Sequence, residues 1–79
     1  MPNNPELVAK ATASPNATFS IVVVTDAESA SVPHITLLEE YEGLDNIWHG
    51  TITGHDLLDV LANEHVLSVD EDTEQTALT

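Results

Sequence analysis

Four histidines, His34, His49, His55 and His65, and a run of acids, Asp70-Glu71-Asp72, are the side chains of this chain best suited to chemistry. Histidine binds transition metals through its ring nitrogens, and the clearest sequence sign is a helical i, i+4 pair or an HExxH motif. Neither occurs here. The histidines therefore read as structural or surface groups, and no metal or cofactor is expected. His49 and Asp56 with Ser20 would make a nucleophilic triad on paper, yet no Gly-x-Ser-x-Gly elbow presents a serine. Glu39 and Glu40 would need a shared face to act as acid and base, and neighbours on a strand point to opposite sides. Gly43, Gly50 and Gly54 stand apart and form no phosphate-cradling loop. Catalysis is not expected. The acidic run has two readings. It is ordinary solvated carboxylate, or it is a charged strand end offered to a partner, with Asp70 and Asp72 on one side and Glu71 on the other.

Charge narrows the partners. The 79 residues carry 14 Asp and Glu against a single Lys10 and no Arg, a formal net charge of −13. Nucleic-acid binding needs cationic side chains to displace counterions from phosphates, and none are available. Anionic membrane surfaces are disfavoured for the same reason. The acids are spread along the chain, which fits a solvated surface screened by high salt, as in a halophile. With no cysteine, disulfides and thiolate metal sites are excluded. No apolar run is long enough to span a bilayer, and the first ten residues lack the pattern of a secretory signal.

The elements that would position these residues belong to one small domain. Asn4-Pro5-Glu6 is a helix start, with a capping Asn, Pro in the first turn and an acid near the positive end. Leu7, Val8 and Ala11 offer an apolar stripe before Ser14-Pro15-Asn16 stops the helix. ATFSIVVVT (17–25) is a strand with Phe19, Ile21 and Val23 on one face and Ser20, Val22 and Val24 on the other. Both faces are largely apolar, so the strand is central or meets a partner on its second face. Residues 26–34 connect. Residues 35–41 fit helical spacing and alternation equally well. IWHGTIT (47–53) is a strand with Trp48, Gly50 and Ile52 on one face. Thr53 and Asp56 resemble a capping box for a helix through Asn63, with Leu57, Leu58, Leu61 and Val60 as its buried stripe. VLSVD (66–70) is the last strand. Few strands and one or two helices predict an α+β sandwich of two layers.

From WHGTIT through DLLDVLANE to VLSVDED, the chain resembles the inhibitor I9 family, the propeptides of subtilisin-like serine proteases and their free-standing inhibitor relatives. The residues that carry the likeness are Trp48-His49-Gly50-Thr51-Ile52-Thr53, the helix after them, Val69-Asp70-Glu71-Asp72 and, before the turn, Glu39-Glu40-Tyr41. The likeness spans about residues 18–78. It implies a ferredoxin-like, four-stranded antiparallel sheet with helices on one face, and a strand at residues 35–41. Relatives have a helix between the first two strands, where this chain has only residues 26–34. Either that helix is reduced to a loop, or residues 5–13 take its place on the sheet.

The resemblance also implies a mechanism. The open sheet face packs on two surface helices of a subtilisin-like serine protease. Asp70 and Asp72 cap the N-termini of those helices, where a carboxylate meets unpaired N–H groups. Apolar groups such as Val22, Val24 and Leu38 would add to that face. The C-terminal tail, residues 73–79, then enters the protease cleft by strand addition and binds as a product does. Its contacting residues would be Gln75, Thr76, Ala77, Leu78 and Thr79, with Leu78 in the primary specificity pocket and Gln75 upstream at a site that prefers apolar groups. The expected organisation is a 1–16 tail with a short helix, an inhibitor-like domain over 17–72, and the tail. The expected protein is a monomer when free, cytoplasmic if free-standing and extracellular if cut from a precursor. The alternative is a small acidic interaction module, antitoxin-like or a DNA mimic.

Overall fold

The computed structural model describes residues 4–72. Helix α1 spans Pro5–Ala13 and is followed by strand β1, Thr18–Thr25. Two short 3₁₀ turns, Ser29–Ser31 and Ile35–Leu37, lead to a two-residue strand β2, Glu39–Glu40. Strand β3 covers Ile47–Thr53, helix α2 Gly54–Leu61 and strand β4 Val66–Glu71. The four strands form one antiparallel sheet in the order β2-β3-β1-β4. Both helices lie against one face, which makes the two-layer α+β sandwich with a ferredoxin-like strand order.

One buried cluster holds the layers together. Ile21 and Val23 of β1, Ile52 of β3 and Val66 and Val69 of β4 meet Leu57, Val60 and Leu61 of α2. Leu7 and Ala11 of α1 join the same cluster, whereas Val8 stays exposed. Of the two expected ways to complete the helix layer, the chain uses the second: α1 comes from before β1 and sits beside α2. Asn4 sets that position twice over. Its Oδ1 accepts the Leu7 N–H at 3.1 Å as an N-cap, and its Nδ2 donates to the Val69 carbonyl on β4 at 2.8 Å. The second bond occupies an acceptor of the edge strand and so blunts that edge against pairing with another chain. Lys10, the lone cation, reaches Glu71 of the same strand at 2.8 Å.

Residues 35–41 do not form the single strand expected of them. Ile35 and Leu38 are both buried while Leu37 is 56% exposed. A strand buries alternate residues on one face; a 3₁₀ turn eclipses positions three apart. The turn therefore buries Ile35 and Leu38 together, and only Glu39–Glu40 continue as strand. Leu38 is consequently a core residue, 5% exposed, and not part of the open sheet face. It lies over Gly50, where a Cβ would fall 2.8 Å from Leu38 Cδ2. In β4 the register shifts between Val24 and Thr25 of the facing strand. That irregularity turns both Val66 and Val69 inward, although three positions separate them and strict alternation would put them on opposite faces.

α2 begins as its sequence predicts. Thr53 Oγ1 accepts the Asp56 N–H at 3.3 Å. The buried stripe is Leu57, Val60 and Leu61, with Leu58 half-buried at its rim.

Candidate functional site

The face of the sheet away from the helices is built by alternation. With Ile21 and Val23 in the core, Ser20, Val22 and Val24 of β1 project from the other side. Antiparallel register sets their neighbours: Thr51, His49 and Ile47 of β3 lie opposite them, and Asp70 and Ser68 of β4 flank Val22 and Val24. No helix of the described residues crosses this face. Val22 and Val24 are half-buried, bordered by His49 on one side and Asp70 on the other. The Tyr41 ring stacks on His49 with 4.3 Å between centroids. The hydroxyls of Ser20 and Thr51 hydrogen-bond at 3.2 Å. The result is a patch with an apolar centre, an aromatic pair along β3 and carboxylates along β4.

Asp70 and Asp72 sit where alternation puts them. Asp70 is exposed and pairs in register with Val22. The Asp72 N–H donates to the Ser20 carbonyl at 2.8 Å, so the ladder with β1 runs one residue past β4 and holds Asp72 on the same side as Asp70. Glu71 faces the helix layer and pairs with Lys10, which raises the Lys10 pKa through that hydrogen bond. The remaining expected contacts, Gln75, Thr76, Ala77, Leu78 and Thr79, lie outside the described residues.

The paper triad does not assemble. Ser20 and His49 share the open face, but Asp56 belongs to the first turn of α2 in the other layer. Glu39 and Glu40 lie opposite His49 and Trp48, on opposite sides of the sheet. Sequence reasoning did not name Tyr41, Ile47, His49, Thr51 or Ser68 as members of the patch. Alternation within IWHGTIT contained the signal for Ile47 and Thr51, because it places both with His49. It also missed the meeting of His34 with α2. His34 Nε2 lies 2.9 Å from Asp59 Oδ2 and 3.5 Å from Asp56 Oδ1, across 25 positions of chain in the first case.

At the end of the sheet away from the acids, Asp26 and His65 join β1 to the start of β4. The Asp26 N–H donates to the His65 carbonyl at 2.9 Å, and His65 Nδ1 lies 3.1 Å from Asp26 Oδ2. The Glu28 backbone N–H, donating to Asp26 Oδ1 at 2.7 Å, and then the His65 bond hold the Asp26 pKa below its ordinary value. The bond to Asp26 raises that of His65. A depressed carboxylate stabilises the fold above its unfolded pKa and loses that contribution as pH falls through the folded value. A raised imidazole stabilises below its unfolded pKa and loses that contribution as pH rises through the folded value. The charged pair thus contributes most between about pH 4 and 6.5. Asp26→Asn removes the charge and keeps an oxygen for the Glu28 N–H. The gap in urea midpoint between parent and variant should be widest inside that window and narrow towards alkaline pH. By NMR, the His65 titration midpoint should fall in the variant; an unmoved midpoint would refute the coupling.

No family model, curated protein or solved structure matches the chain. Among the described residues, no helix is long and apolar enough to cross a membrane.

Proposed function

We propose that this protein is an inhibitor, or a folding-assisting pro-domain, of a subtilisin-like serine protease. In this reading the open sheet face docks on the protease, and residues 73–79 enter the active-site cleft as a cleaved product would. One observation carries it: Asp70 and Asp72 leave the last strand on the uncovered face while Glu71 turns back to Lys10. Two carboxylates so spaced suit the N-termini of two neighbouring helices on a partner, each worth about 0.3–1 kcal/mol when exposed. The apolar centre, Val22 and Val24, supplies area for contact, and the ferredoxin-like strand order agrees with the resemblance noted in the sequence. A protein that acts by occupying a cleft needs no catalytic group of its own.

The test is inhibition of a commercial subtilisin by the intact chain, by a chain lacking Gln75 to Thr79, and by Asp70→Asn and Asp72→Asn. The intact chain should inhibit at micromolar concentration or below. Loss of the tail should weaken inhibition by about 100-fold or more, since roughly 3 kcal/mol of main-chain and pocket contacts go with it. Each Asp→Asn change should cost about two- to fivefold. Absence of inhibition by the intact chain at high concentration and high salt would overturn the reading, and the same acidic face would then belong to an unrelated partner.

A further inference from the structure

The helix layer carries a second group of polar side chains, remote from the open sheet face. His34 stands at the turn before Ile35–Leu37 in a left-handed backbone conformation, φ 65°. Asp56 and Asp59 stand one turn apart on α2. His34 Nε2, Asp56 Oδ1 and Asp59 Oδ2 converge, and a donor atom from each of the three residues lies within 4.8 Å of the others. A second imidazole lies beside Asp56 alone: His55 Nδ1 is 3.6 Å from the same Asp56 Oδ1, on a side chain 77% exposed.

From these positions we propose that His34, Asp56 and Asp59 form a binding site for a divalent transition-metal ion of the zinc type, with the fourth position left to water. The distances suit it. Ligands about 2.0–2.2 Å from a tetrahedral ion lie roughly 3.4 Å from one another. The His34 separations of 2.9 and 3.5 Å bracket that value, and rotation of the exposed Asp59 carboxylate closes the remainder. Donor chemistry selects the ion: imidazole nitrogen beside carboxylate oxygen suits zinc, nickel, copper or cobalt, whereas magnesium and calcium take oxygen alone. Charge favours a cation as well. Two aspartates one turn apart repel, and the whole chain carries −13 with one lysine. The positive end of α2 opposes the ion at Asp56, in the first turn, and less at Asp59, beyond it. A bound ion would fasten the β1–β2 connection, through His34, to α2. This site is independent of the protease reading.

The probe is ZnCl2 titrated calorimetrically into the full chain, with excess Mg2+ present to occupy the diffuse acidic surface. One saturable site is expected. His34→Gln and Asp59→Asn should each weaken it by about tenfold or more. His65→Gln, whose imidazole pairs with Asp26 and is not part of the group, should leave it unchanged. Co2+ added to the unmodified protein should broaden the His34 imidazole NMR signal before those of His49 and His65. This second measurement needs no variant to fold. No saturable binding, equal loss in His65→Gln, undiminished binding in His34→Gln, or equal broadening of all four histidines would each overturn the site.

Discussion

Leu57→Ala should lower the free energy of unfolding by about 2–5 kcal/mol. Leu57 is fully buried at the centre of α2, against the sheet and α1. Its loss removes apolar transfer energy and leaves a cavity that a two-layer core cannot collapse around, because the strands on one side are tied by ladder bonds. For 79 residues the whole stability is about 4–12 kcal/mol. The variant should therefore be partly unfolded at room temperature, or nearly so. Urea denaturation followed by the fluorescence of Trp48, the only tryptophan, gives the measurement. The midpoint should fall with an unchanged slope. Leu67→Ala is the comparison: the same chemical change at a position 58% exposed should stay within about 0.5 kcal/mol. If both variants unfold at the same midpoint, the core is not where α2 meets the sheet.

The second large effect has a sign that propensity alone would get wrong. Gly54 opens α2, and a glycine in a helix normally gains up to about 1 kcal/mol on becoming alanine. Here Gly54→Ala should instead destabilise by about 1–3 kcal/mol. A Cβ at this position would lie 2.6 Å from the Ser14 carbonyl oxygen, 3.0 Å from that of Ala11 and 3.1 Å from Phe19. Two of those three are backbone atoms and cannot swing away. Gly54 is absent from the positive-φ residues, so its own backbone does not demand glycine. The demand comes from α1, whose C-terminal end lies against the start of α2. Relief requires the two helices to part, which would loosen Leu7 and Ala11 from the core. Gly43→Ala separates the causes. At φ 81° with nothing within 4 Å of its Cβ, it should show backbone strain alone, about 1 kcal/mol. A stabilised Gly54→Ala would mean that α1 does not sit where the structure puts it.

Both results bear on how α1 and α2 share one sheet face and leave the other clear. The docking proposed for Asp70 and Asp72 requires that second face to stay open. Asn4 and Lys10 serve this division from the α1 side. One holds the Val69 carbonyl, and the other pairs with Glu71, the acid that alternation turns to the helix side.

Much of this was legible in the residues themselves. Capping chemistry placed the start of α1 at Asn4 and that of α2 at Thr53, because a side-chain acceptor for orphan N–H groups is a local property. Alternation in β1 and β3 sorted the side chains into two faces, because the period of a strand is two whatever it packs against, but which face became core was decided by where the helices lie. That Asp70 and Asp72 share a side followed from the same rule; that the side is the uncovered one did not. Tertiary structure decided the rest. Residues 35–41 fitted helical spacing and alternation alike until the need to cover Gly50 and the α2 side of the core selected a 3₁₀ turn that buries Ile35 and Leu38 together. The irregularity in β4 arose because Val66 and Val69 both had to reach that core. His34 met Asp56 and Asp59 only because that turn carried it onto α2. Local rules act over a few residues and can be read along a chain; which distant side chains share a surface depends on how the layers close, and no spacing in the sequence encodes that distance.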